Sequence, residues 1–303
     1  MKNFLPDNIK HVAIIAPAGP VNPENLTSGA EILRKHGVNV TIMPNVLAGS
    51  RFSYLSSDVE GRLEDLHACW TDETIDLVFC ARGGYGSAQL LPYINWDLLR
   101  SRRLPFIGYS DITALHAGML THGAGMPIAA PMPLRFQESL FDCKTADFTL
   151  KYLHSALDIN SVNELKLHES MEPVAFIKDG VATALPFAAN LAVLVTLCGT
   201  SWLPDLDDKI LIVEDINEPA YKVDRYLTQL SQNGVLKKLG GLVFGSFTEC
   251  GSADDLNKIM NKAAKEVSGP VVKNLPFGHT FPMVSINQNK TMTLDSTGNV
   301  ITL

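Results

Sequence analysis

Four short apolar runs, each closed by a turn and followed by a helical pattern, restrict the fold of this chain more than any other feature. They are His11–Ala16, Val38–Met43, Ile75–Cys80 and Leu104–Ile107. Between them, apolar residues recur at helical spacing. Ala30 and Leu33 belong to a segment that Gly37 stops, and Leu63, Leu66 and Trp70 share one face of Arg62–Trp70. A further helix starts over Ser87–Tyr93, and Ile112, Leu115, Met119 and Leu120 mark another after Asp111. Strands that are apolar at nearly every position are buried on both faces. The alternation therefore predicts a parallel sheet covered by helices on both sides. Ligands of such sheets gather at the carboxyl ends of the strands. Two features lie there: the loop Arg82-Gly83-Gly84-Tyr85-Gly86 and Ser110.

The remainder of the 303 residues reads differently. From Pro131 to about Ser161 the pattern weakens, with one or two helices over Phe136–Leu157 and a loop at Asn160–Asn163. Short strands then follow at Val174–Lys178, Val181–Leu185, Ile210–Val213, Gly241–Phe247, Thr291–Asp295 and Val300–Leu303. Helices intervene at Asn190–Leu197, Tyr221–Asn233 and Asp254–Val267. The turn Asp295-Ser296-Thr297-Gly298 is a hairpin signal. The expected organisation is an α/β domain over 1–135, a helical linker over 136–162 and a mixed α+β domain over 163–303.

Composition narrows the function classes. Hydrophobic residues make up 46% and charged residues 19%, enough for full cores and against disorder. The net charge of −7 argues against nucleic acid or an anionic membrane as partner. No apolar run approaches the roughly 18 residues of a membrane span. The start of the chain has no signal-peptide core, so a cytoplasmic location is expected. Cys69, Cys80, Cys143, Cys198 and Cys250 are scattered and odd in number, which encodes no disulfide framework and no zinc site. Cys80 and Cys198 are expected as packed thiols. The eight histidines form no pair at ligand spacing on one helix, so no metal is expected.

The chemistry-bearing candidates are individually modest. Ser110 sits at a strand-to-helix joint two residues after Gly108, where a hydroxyl is held up beside backbone N–H groups. A simple helix cap at Ser110 or Asp111 is the plainer reading. The glycines of Arg82–Gly86 let a backbone approach a ligand and point its N–H groups at an anion, or they make only a tight turn. Glu214 and Asp215 end an apolar strand, where acids are commonly just solvated. His279 follows a glycine in a loop between Pro276 and Pro282, an ordinary place for a surface histidine. Asn190 opens an apolar helix and reads first as its N-cap.

Together these segments resemble one family. Gly-Tyr-Ser-Asp, Arg-Gly-Gly-Tyr-Gly, Val-Glu-Asp-Ile-Asn-Glu-Pro-Ala-Tyr-Lys-Val-Asp-Arg-Tyr-Leu and Phe-Gly-His are spaced as in the LD-carboxypeptidases, whose relatives include the microcin C self-immunity proteins. The likeness runs from Ala16-Pro17 to beyond His279. It implies a glutamine-amidotransferase-like, doubly wound parallel-sheet domain followed by a smaller, β-rich swivelling domain, with the site in the cleft between them. It also implies Ser110 as nucleophile, His279 as general base and Glu214 as the acid that orients the histidine. Backbone N–H groups of Gly84 and Asp111 would form the oxyanion hole, and Gly83 and Asn190 would meet substrate. Glu218 matches the family's second, non-catalytic acid.

The implied activity is that of a cytoplasmic serine carboxypeptidase, without cofactor, that releases the terminal D-alanine of murein tetrapeptide. A homodimer is implied as well. The rival within the family is hydrolysis of peptidyl- or aminoacyl-nucleotide amides. A rival of another class is a small-ligand-binding module that uses the Gly83-Gly84 loop without turnover. Two departures bear on substrate preference. Ala188-Ala189-Asn190-Leu191 replaces the usual Gly-Gly-Asn-Leu, placing two extra methyl groups near the expected substrate wall. After His279 the expected Leu-Pro-x-Gly is missing.

Overall fold

The computed structural model of the chain describes residues 5–136 and 146–303. Cys143 and residues 137–145 of the expected linker lie outside the described residues. The N-terminal part supplies β1 (His11–Ile15), α1 (Pro23–Lys35), β2 (Asn39–Ile42), α2 (Val59–Thr71), β3 (Leu77–Cys80), α3 (Trp96–Arg100), β4 (Pro105–Gly108), α4 (Thr113–His122) and β5 (Met126–Ala129). These strands form a parallel sheet in the order β2-β1-β3-β4-β5. Every residue of β3 and β5 is buried, as strands covered on both faces require. The order changes direction between β1 and β3, the kind of point beyond whose strand carboxyl ends such sheets bind ligands.

Local chemistry sets the elements. Asn22 caps α1 by accepting a hydrogen bond from the Asn25 N–H at 3.0 Å, and Pro23 stands at the first turn. Ser87–Tyr93 is a 3-10 helix where an α-helix is expected. Pro92 lies inside it and removes an amide that an α-helix needs.

The C-terminal part contains α5 (Ala146–Leu157), β6 (Ala175–Lys178), β7 (Val181–Ala184), β8 (Pro186–Asn190), α6 (Leu191–Leu197), β9 (Ile210–Ile216), α7 (Ala220–Gln232), α8 (Val235–Lys238), β10 (Gly241–Thr248), α9 (Ala253–Ala264), β11 (Val271–Lys273), β12 (Ile286–Asn287), β13 (Met292–Asp295) and β14 (Val300–Thr302). A five-stranded sheet runs β6-β11-β10-β9-β8, parallel except for β6. A small antiparallel sheet runs β14-β13-β7. The β13–β14 hairpin turns where the sequence signals it, with Asp295 Oδ1 accepting the Thr297 N–H at 2.9 Å.

The two parts are joined by more than the linker. Strand β12 returns to the first sheet and pairs antiparallel with β5, Ile286 opposite Ala129 and Asn287 opposite Ile128. The next residue, Gln288, accepts the Ala188 N–H at 3.1 Å and donates through Nε2 to His116 Nδ1 at 2.8 Å. Burial pushes the His116 imidazole down to about 3, so it stays neutral and accepts this hydrogen bond.

Candidate active site

Strand β4 runs through Tyr109 into Ser110, which has φ +63°. A left-handed backbone is costly for any residue with a Cβ, and such strain concentrates at functional positions. A 3-10 turn over Ser110–Ile112 then leads into α4. This is the strand–turn–helix geometry of a nucleophile elbow.

The glycine loop after β3 is tied to this elbow. Ser87 donates its N–H to Asp111 Oδ2 at 2.9 Å and its hydroxyl to the Asp111 carbonyl at 2.5 Å. Asp111 is buried, and burial pushes its carboxyl up; its side chain anchors the loop. Behind it the buried Arg62 guanidinium donates to the carbonyls of Pro17 at 3.0 Å and Gly86 at 2.9 Å. Gly83 abuts the serine: a methyl on it would lie 2.9 Å from Ser110 Cβ and 3.1 Å from both Ser110 Oγ and the Asp111 amide nitrogen. Gly84 packs against Gly19.

Glu214 lies near the end of β9 and is fully buried. Opposite it, β10 carries a bulge: Phe244 pairs with Val213, Phe247 pairs with Asp215, and Gly245 and Ser246 share the place facing Glu214. Bulges of this kind re-aim the groups beside them. The freed Ser246 N–H donates to the Phe277 carbonyl at 2.9 Å and holds the histidine loop over Glu214. Thr248 Oγ1 donates to the His279 carbonyl at 2.9 Å and pins the other end. Glu214 Oε2 accepts from His279 Nδ1 at 2.7 Å and from the His279 backbone N–H at 3.2 Å. With Nδ1 as the donor, Nε2 is left as the basic nitrogen.

The structure thus brings Glu214 and His279 into direct contact. Ser110 approaches through its neighbour: the Tyr109 ring packs on the His279 ring with centroids 5.1 Å apart. The Ser110 hydroxyl makes no hydrogen bond among the described residues, His279 included. Catalytic hydrogen bonds of this type commonly tighten only when substrate is bound.

Asn190 is engaged differently from the expected substrate contact. Its Nδ2 donates to Glu214 Oε1 at 3.2 Å and Asp215 Oδ1 at 2.9 Å, while its Oδ1 caps α6 through the Val193 N–H at 3.1 Å. It is buried, and both amide hydrogens are taken, so it positions Glu214. Residue spacing shows the cap alone; the carboxylate contacts depend on the pairing of Asn190 with Glu214 across β8 and β9. Asp215 is raised to about 6, by burial first and by the Glu214 charge as well, against the opposing Asn190 hydrogen bond. Ala188 and Ala189 precede Asn190 on the same strand. Both residues are buried on β8 within the second sheet. Glu218 stands apart from Glu214, in contact with Lys222 Nζ at 3.0 Å just before α7.

Cys80 is buried as expected, whereas Cys198 is half-buried; both are free thiols. Among the described residues, no cluster of three or more His, Cys, Asp or Glu side chains is arranged to hold a metal ion.

Comparison with known proteins identifies the family of the chain. Residues 12–128 match the LD-carboxypeptidase N-terminal domain and residues 186–294 the LD-carboxypeptidase C-terminal domain. The murein tetrapeptide carboxypeptidase of Pseudomonas aeruginosa is 33% identical over 88% of this chain and 87% of its own. The crystal structure of muramoyltetrapeptide carboxypeptidase from Oxalobacter formigenes has a TM-score of 0.83 at 30% identity and covers 97% of both chains. An MccF-like protein from Bacillus anthracis has a TM-score of 0.86 at 28% identity, covering 97% of this chain and 96% of that one. The fold is that of a two-domain α/β peptidase. The chain belongs to the LD-carboxypeptidase family.

Proposed function

We propose that this chain is a serine carboxypeptidase that hydrolyses the L,D-peptide bond holding the terminal D-alanine of murein tetrapeptide. The observation that carries the reading is the Glu214–His279 contact of 2.7 Å, with the His279 ring packed on Tyr109, the residue before a serine held at φ +63° on an elbow. Ser110 Oγ attacks the scissile carbonyl while His279 Nε2 takes its proton. The tetrahedral oxyanion is met by the backbone N–H groups of Gly84 and Asp111. His279 then returns the proton to the leaving amine, D-alanine departs, and water releases the acyl group by the same steps in reverse. Glu214 fixes the tautomer and stabilises the imidazolium throughout. Cytoplasmic murein recycling and a homodimer complete the reading and rest on the family resemblance. Among the described residues no helix is long and apolar enough to cross a membrane.

The test is release of D-alanine from murein tripeptide, tetrapeptide and pentapeptide by the pure protein, with and without EDTA. One D-alanine per tetrapeptide, an untouched tripeptide and indifference to EDTA are the expected results. The similarity to the MccF-like protein supports a second reading, hydrolysis of a peptidyl- or aminoacyl-nucleotide amide. Preferential cleavage of such an amide in the same assay would replace the first reading. Intact ligands throughout would favour a binding module.

Gly278 offers a sharper check on the geometry. It has φ +108°, and a methyl there would lie 2.5 Å from Glu214 Oε2. Gly278→Ala must move the histidine loop off the carboxylate. A displacement near 1 Å costs about 100-fold in rate, so kcat on tetrapeptide is expected to fall at least that far. Wild-type turnover in this variant would dissociate the Glu214–His279 contact from catalysis.

A further inference from the structure

Strand β8 lies at the edge of the second sheet, and outward N–H groups at an edge need partners other than a strand. They recur at every second residue. Pro186 carries no N–H, the Ala188 N–H goes to the Gln288 side chain, and the Asn190 N–H donates to Thr113 Oγ1 at 2.9 Å. The last of these is more than an edge cover, because its two ends belong to the two halves of the candidate site.

At one end, Thr113 opens α4 directly behind the elbow, and its own N–H donates to the Ser110 carbonyl. At the other end, Asn190 stands opposite Glu214 and donates Nδ2 to Glu214 Oε1, while Glu214 Oε2 holds His279. Thr113, Asn190 and Glu214 are all buried, which keeps water from competing for these bonds. A threonine that served only its own helix would bond its hydroxyl to a backbone group a few residues away. Here Oγ1 accepts from a strand 77 residues further along the chain. The branched side chain has few rotamers, so the oxygen is held where the strand meets it.

We infer that Thr113 is a positioning residue whose hydroxyl oxygen sets the distance between the Ser110 elbow and the Glu214–His279 pair, and this inference rests on the serine-peptidase reading proposed above. Without that acceptor the Asn190 N–H is a buried donor lacking a partner, a costly state that β8 relieves by drifting from α4. Glu214 and His279 travel with β8 through the Asn190 amide, whereas Ser110 stays with α4. The imidazole then meets the serine proton from the wrong distance, and a displacement near 1 Å costs about 100-fold in rate.

The experiment compares Thr113→Val, which keeps the shape and removes the acceptor, with Thr113→Ser, which keeps the oxygen. Two rates are read on each: phosphonylation of Ser110 by a fluorophosphonate probe, and release of D-alanine from tetrapeptide. In Thr113→Val the phosphonylation rate and kcat are both expected to fall about 100-fold while KM holds. In Thr113→Ser both are expected to stay within about threefold of wild type. The proton NMR signal of His279 Nδ1, bonded to Glu214, is expected to persist in Thr113→Val, since the pair moves as a unit. A slow Thr113→Val that has also lost this signal has loosened as a whole, which overturns the inference. So does a Thr113→Val that reacts at the wild-type rate, or a Thr113→Ser as slow as the valine variant. Thr113→Ala, which leaves room in place of the side chain, carries the same comparison if the valine variant does not fold. A wild type that reacts with the probe yet releases no D-alanine overturns the carboxypeptidase reading alone, and the phosphonylation rates still decide on Thr113. A wild type that resists the probe overturns the serine mechanism and the inference with it.

Discussion

Ser110→Ala is expected to lower kcat on tetrapeptide by about 10⁴-fold or more while leaving the thermal melt in place. The members of a nucleophile–base–acid set act as a unit, so loss of the nucleophile removes nearly all that the set supplies. The fold has little at stake in the hydroxyl, because no described group depends on it for a hydrogen bond. Alanine at φ +63° carries the same backbone strain as serine, and Gly83 still fits against the retained Cβ. Steady-state release of D-alanine and a melting curve on the same preparation check both halves of the expectation. Near-normal turnover in this variant, or loss of wild-type turnover on chelation, would overturn the serine mechanism.

The second large effect separates two acids that stand within one turn of chain. Glu214→Gln is expected to cost about 10⁴ in kcat, the scale seen when the orienting carboxylate of a serine hydrolase loses its charge. The amide has one acceptor oxygen for three donors, the two N–H groups of His279 and the Asn190 amide, and its own NH₂ must face one of them. Glu218 is 21% exposed and paired with Lys222, a surface contact four residues away that contributes little. Glu218→Gln should therefore stay within about tenfold of wild type, at most one decade on the barrier scale. Both variants belong in one assay, with circular dichroism to correct for the folded fraction. An inactive Glu218→Gln beside an active Glu214→Gln would reassign the orienting acid.

Much of the parallel sheet is legible in the sequence because β1, β3 and β4 are apolar runs closed by turns. The strands that escape such reading have physical reasons to do so. Strand β5 contains Pro127 in a stretch of alanine and glycine, and β8 begins at Pro186 and has alanine at two of its three interior positions. Strand β12 is two residues long and exists only because the edge of β5 is there to receive it. The candidate site divides in the same way. The strand-to-helix joint at Ser110 is a local feature and can be found from spacing. The roles of Glu214 and His279 come from family likeness, since neither residue is distinctive in its own segment. What joins them is a bulge in β10, a property of two strands in register that no single stretch encodes. The same holds for Asn190, whose capping oxygen is local and whose amide reaches carboxylates from another strand.

The return of β12 to the first sheet changes how the two parts of this chain can behave. A domain that swings on a linker must break nothing when it moves. Here rotation would strip two residues from a sheet edge and pull Gln288 from His116. Exposed sheet edges invite pairing with other chains, so either part expressed alone would carry an adhesive margin where β5 and β12 now meet. The sheet that carries the serine and the part that carries its histidine are consequently tied by strand pairing and a buried hydrogen bond as well as by the linker.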